Sequence, residues 1–202
     1  PESRALVAPV VQAVVAVRAA QARLPPAKDD AERLRRLYAL DQAPRMAMSG
    51  LALSGLAPDQ RKAATSAVGA ELMTVDQETL AALLKMLPPE GWFRHSVYGD
   101  EAATAAFLIV QHASPEIQRR FLPVLGRFVA EGEAKASAYA LMWDRVALSD
   151  GKMQRYGSQL RCESGRWVAL AVEAPDGLDA RRAEMKLKPM ADYLAEFTDA
   201  AC

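Results

Sequence analysis

A chain of 202 residues, 51% hydrophobic and 25% charged, has the composition of a soluble globular protein long enough to bury a core without disulfide or metal staples. Its 25 Lys and Arg balance 25 Asp and Glu, so the formal net charge is zero. That balance excludes the basic surplus of a nucleic-acid binder or of a protein held to anionic membranes. The length suits one domain, read as residues 29–202, preceded by an N-terminal helical extension over 1–28.

The first segment, Glu2 to Leu24, is rich in helix formers, and Pro25 and Pro26 stop it. Its longest apolar run, "ALVAPVVQAVVAV", is too short to span a bilayer and is interrupted by Pro9 and Gln12, so no membrane insertion is expected. The chain starts with Pro rather than Met. A removed signal peptide and a trimmed start explain this equally, leaving both the cytoplasm and export open. In the next helix Asp29 and Glu32 have the spacing of a capping box, and Leu34, Leu37, Tyr38 and Asp41 share a face. Pro44 is expected to kink or end that helix.

"SGLALSGLAPDQ" reads as a break. Pro58 then opens a helix to about Met73, and "DQETLAALLKML" is a second helix or its continuation. "PPEGW" ends it, and 91–98 reads as irregular. "GDEAATAAFLIVQHA" is the clearest helix, with Asp100 favouring its positive end. Ser114 caps the following helix, Pro115 takes its first position, and Pro123 bends it. "SAYALMWDRVALS" is another helix. The period then changes to alternation: "MQRYGSQLR" and "RWVALAVE" form a β-hairpin turning at Ser164-Gly165. Short helices close the chain. The fold class is mainly α: a multi-helix domain with one C-terminal β-hairpin, about 153–173, packed on the helices.

Chemistry concentrates in few places. His112 ends the Ala-rich helix, where an imidazole serves equally as a partly buried cap or as an acid/base group. His95 lies in a loop and is the weaker candidate. Asp144 and Arg145 read either as a paired structural network or as a carboxylate that orients His112. In a regular strand Gln154, Tyr156 and Ser158 face one way. A bulge at Gly157 would bring Gln159 to the same side, making a patch of two amides and a phenol. Gln111 is most simply a solvent or capping residue. A Ser–His–Asp set drawn from Ser96 or Ser158 has no spacing to select it. A metal set of His112, Asp144 and Asp100 has suitable ligand types and no diagnostic spacing, so neither metal nor cofactor is expected. Cys162 and Cys202 form no CxxC and would pair only in an oxidising compartment.

"GWFRHSVYGDEAATAAFLIVQHA", "QRRFLPVL" and "EGEAKASAYALMWDRVALSDGKMQRYGSQ" together resemble a bacterial family of uncharacterised proteins, a domain of unknown function (DUF6624). The pattern runs through Gly91, Trp92, Gly99, Gln111, His112, Leu122, Pro123, Asp144, Arg145, Gly151, Gln154, Tyr156, Gly157 and Gln159. "DARRAEMKLKPMADYL" resembles the family's closing segment and Asp41, Gln42 and Arg45 its opening, so the likeness covers roughly 34–198. Ser158 replaces the usual Thr. "DQETLAALLK" lacks the family's usual Asn, for which Thr79 is the candidate replacement, and no role is carried to Asp76. The resemblance implies that Gln111, His112, Asp144, Arg145, Gln154, Tyr156 and Gln159 meet in space; it implies no particular activity.

The resulting expectation is a pocket for a small polar or peptide-like ligand. In a hydrolase or transferase, His112 and Asp144 would be the catalytic pair, and Gln111, Arg145, Gln154, Tyr156 and Gln159 would bind the ligand. Arg145 or Tyr156 would stabilise negative charge. The alternative is a non-catalytic scaffold for a protein partner whose polar cluster is structural.

Overall fold

In the computed structural model, the described residues are 2–53 and 55–198; the pairing of Cys162 with Cys202 lies outside them. The protein is mainly helical with one small antiparallel hairpin near the C-terminus, as the periodicities require. Packing divides it into two compact units, 1–113 and 114–202. The prolines after residue 24 mark only the turn between the first two helices.

The first unit contains α1 (Glu2–Gln21), α2 (Asp30–Met48), α3 (Pro58–Lys85), α4 (His95–Tyr98) and α5 (Asp100–His112). Helix α1 packs on α2 and α3, and α5 packs on both of these as well. Val7 and Val10 of α1 meet Ala64 and Val68 of α3, and a second layer joins Val14, Leu40 and Val75. The stretch Ala5–Ala22 is long and apolar enough, by length and composition, to cross a membrane. The 13-residue run alone is too short, but the helix stays apolar on average beyond Val17. Here its inner face is committed to the core, while Val11 and Val15 stay exposed.

Local chemistry sets the boundaries of these helices. Asp29 caps α2 by accepting the Glu32 N–H at 2.7 Å, but the Glu32 carboxylate reaches back to the N–H of Lys28, one residue beyond a reciprocal box. Helix α2 runs through Pro44 rather than ending there. In the turn the proline disturbs, the Arg45 guanidinium donates to the carbonyl of Asp41 at 2.7 Å. Helix α3 is one continuous rod, since no proline follows Pro58 within it. The stretch read as irregular contains the single turn α4, whose Tyr98 ring meets Phe93 edge-on at 5.2 Å. Gly99, at φ 78°, ends α4 and opens α5.

The second unit contains α6 (Pro115–Ala130), α7 (Ala136–Ser149), β1 (Leu160–Glu163), β2 (Arg166–Ala169), α8 (Leu178–Glu184) and α9 (Met190–Ala195). Helices α6 and α7 pack together. They approach so closely at Gly126 that a Cβ there would lie 3.0 Å from the Tyr139 ring. The strands pair antiparallel with Glu163 opposite Arg166, so the loop is the two residues Ser164 and Gly165. Both have positive φ, 51° and 76°, as a type I′ turn demands. The hairpin is shorter than 153–173. Upstream of β1 only the isolated bridge of Gln154 to Val172 persists, and 155–159 is a loop.

Candidate functional site

The first unit gathers a polar cluster from three helices. Helix α2 supplies Asp41, Gln42 and, one turn later, Arg45; α3 supplies Asp76; α5 supplies His112. Nδ1 of His112 lies 3.0 Å from both carboxylate oxygens of Asp41. Asp41 is fully buried, and Gln42 Nε2 donates to its Oδ2 at 2.7 Å. Arg45 donates to Asp76 Oδ1 at 2.7 Å and lies 3.4 Å from Asp41 Oδ1, so it bridges the two carboxylates. The side chains of His112, Asp76 and Arg45 keep 15%, 17% and 18% of their exposure, enough to meet solvent but not to be bathed in it.

Two atoms are left over. Among the described residues, neither Nε2 of His112 nor Oδ2 of Asp76 makes a hydrogen bond. A carboxylate oxygen accepts, so in this contact Nδ1 of His112 is the donor, and Nε2 is the ring nitrogen left without a partner. Burial pushes the Asp76 carboxyl above its ordinary range, and the Arg45 guanidinium pulls against that shift. One donor atom each from Asp41, Asp76 and His112 lies within 4.8 Å of the others, a grouping that could hold a metal ion.

The second unit gathers another cluster, around Asp144. Its carboxylate is fully buried and accepts three backbone N–H groups, from Arg155 (2.8 Å), Tyr156 (3.0 Å) and Ser158 (2.8 Å). The carbonyls of the same loop are held from another side. The buried Arg182 donates to Tyr156 O at 2.7 Å and to Lys188 O at 2.6 Å, and Tyr193 Oη donates to Ser158 O at 3.0 Å. The Arg182 guanidinium also lies 4.9 Å from the centre of the Tyr193 ring. Gln154 is equally committed. Its amide donates to Gln159 O and Leu170 O and accepts from Gln159 N–H.

A family model matches residues 55–202, most of the chain. The chain belongs to this family of unknown function, DUF6624. Neither a search of curated proteins nor one of solved structures found a match. The part matched to DUF6624 includes Asp76, His112, Asp144 and Arg182, while Asp41, Gln42 and Arg45 precede it.

The residues singled out from the DUF6624 pattern thus fall into two groups, one in each unit. Nδ1 of His112 takes Asp41 as its carboxylate, and that corrects the orienting role given to Asp144. Both oxygens of Asp144 are consumed by amides of its own unit. Gln111 is 6% exposed, so it is a buried residue and not a solvent-facing one. Gln154, Tyr156 and Ser158 are buried within a loop rather than aligned on a strand face, and Gln159 donates to the Ser158 hydroxyl. Gly157 does re-aim the chain, at φ 64°. Burial raises the phenols of Tyr156 and Tyr193, with nearby arginines, Arg145 among those acting on Tyr193, opposing the shift. His95 contacts the exposed Asp100 at 3.1 Å.

Asp76, Arg182 and Tyr193 join these clusters without a motif that points to them. Asp76 did leave a signal: it lies three residues before the fully buried Thr79 on a helix whose buried residues include Val68, Val75 and Leu83, so helical spacing turns it inward. For Arg182 the sequence holds no comparable mark.

Proposed function

We propose that the Asp41–His112 pair is an acid–base centre acting on a small polar ligand, in a hydrolysis or group-transfer reaction. The observation that supports it is the asymmetry of the His112 ring. Nδ1 is held by a fully buried carboxylate, while Nε2 is left without a hydrogen bond in a ring that is 15% exposed. A carboxylate on one nitrogen fixes the ring and stabilises the imidazolium that forms when the other nitrogen takes a proton. In this reading Nε2 accepts the proton of a water or hydroxyl nucleophile as the new bond forms. It then returns the proton to the leaving group. Arg45 spends some of its N–H donors on Asp41 and Asp76, and its remaining donors suit a carboxylate or phosphate oxygen of the ligand.

The test is a screen of small polar esters, amides and phosphate esters with the full chain, His112→Ala and His95→Ala. Turnover lost in His112→Ala and retained in His95→Ala is expected. Equal turnover in all three proteins would end the acid–base reading.

A second reading draws on α1, where Val11 and Val15 are 40% and 57% exposed at one-turn spacing. They suit a protein partner, with the polar clusters serving only the fold. A partner whose capture survives His112→Ala and is lost in Val15→Asp would favour it.

A further inference from the structure

We infer that Asp41, Asp76 and His112 form a binding site for one divalent first-row transition cation. The inference concerns the same residues as the acid–base reading and is tested separately, because cation binding is a property of the protein alone and needs no substrate.

Three features carry it. The first is donor geometry. One ligand atom from each of the three residues lies within 4.8 Å of the others, and an ion held there takes the place of the proton between His112 Nδ1 and Asp41. Ligands at about 2.1 Å from an ion are separated by about 3.4 Å along a tetrahedral edge, so the widest of these separations closes by up to about 1.4 Å, within reach of side-chain rotation. The second is charge. Two carboxylates, one of them fully buried, face one guanidinium. Buried charge that is not balanced is costly, so the cluster lacks one positive charge. A cation at this point supplies it. The third is support behind the ligands. Gln42 fixes Oδ2 of Asp41, and Arg45 fixes Oδ1 of Asp76, leaving its Oδ2 available. Ligating carboxylates are held by outer hydrogen bonds of this kind.

Donor chemistry selects the class of ion. Imidazole suits zinc, iron and nickel, and carboxylates suit manganese and magnesium, so one imidazole with two carboxylates falls to Zn²⁺, Fe²⁺ or Mn²⁺. Three protein ligands also leave a position open, as in zinc sites that act on a bound water or substrate.

The experiment is calorimetric titration of the chelator-treated full chain with Zn²⁺ and with Mn²⁺, followed by metal analysis after dialysis. One saturable equivalent is expected. Asp76→Asn and His112→Ala should weaken it at least about 10-fold, and His95→Ala should leave it unchanged. Circular dichroism on each variant establishes that the fold persists, and Asp76 suits the test because it is less buried than Asp41. Absence of saturable binding to the folded protein overturns the inference, as does equal affinity in wild type and Asp76→Asn. The acid–base reading fails separately, through turnover that survives His112→Ala in metal-free protein.

Discussion

Among the described residues each unit buries one aspartate completely, and the two differ in what surrounds them. Asp144 is met by three backbone amides of one loop, whose carbonyls are taken by Arg182 and Tyr193. Asp41 is met by side chains, those of His112, Gln42 and Arg45, and atoms around it remain unused. Backbone donors are fixed by the fold and cannot be exchanged for a ligand without unfolding the loop. Side-chain partners can rotate, change protonation state or give way to an ion. The difference separates a carboxylate whose partners are fixed by the fold from one whose partners are free to exchange.

The largest effect that follows is at Asp144. Asp144→Ala removes the acceptor of three buried or half-buried N–H groups at once. Each such donor left unsatisfied costs a sizeable part of a hydrogen bond, so a loss of about 4 kcal/mol is expected in urea denaturation. A loss below about 1 kcal/mol would mean that the loop finds other acceptors, and the contrast with Asp41 would weaken. Arg182→Met comes next. It keeps the apolar volume but deletes the donors to Tyr156 O and Lys188 O, for about 3 kcal/mol by the same measurement. If only one of the two variants were destabilised, the amide and carbonyl sides of the loop would not act as one clamp.

Gly157→Ala probes the same loop more gently. Its φ of 64° costs a side-chain-bearing residue about 1–2 kcal/mol, and the new Cβ would lie 3.3 Å from Met190 Sδ. Methionine is flexible enough to give way, so the backbone term dominates. A variant as stable as the wild type would show that the loop can relax.

Much of this architecture was open to reading in the residues, and the limits have a common cause. Pro25-Pro26, the unbroken stretch after Pro58 and the Ser164-Gly165 turn are local signals, and each predicts the element it adjoins. The polar density of 154–159 marks a special segment, but alternation alone reads it as a strand. The amides drawn to Asp144 and the left-handed Gly157 override that period. The site in the first unit depends on two helices whose key residues, Asp41 and His112, are 71 positions apart. No spacing rule connects them. Helical periodicity places Asp41 on the inner face of α2 but does not say which basic group it meets there.

The smallest expected effect is the one that sharpens the comparison most. His112→Ala removes one partner of a buried carboxylate that retains Gln42 and Arg45, and the ring is near enough to solvent for water to replace it. A stability loss of about 1 kcal/mol follows, well under that at Asp144. The same substitution is expected to weaken cation binding at least about 10-fold and to abolish acid–base turnover. A residue whose removal barely disturbs folding yet weakens ligand binding and abolishes turnover is held for chemistry. If His112→Ala instead destabilised the protein as much as Asp144→Ala, the Asp41 cluster would be a second structural clamp, and the distinction between the two buried aspartates would disappear.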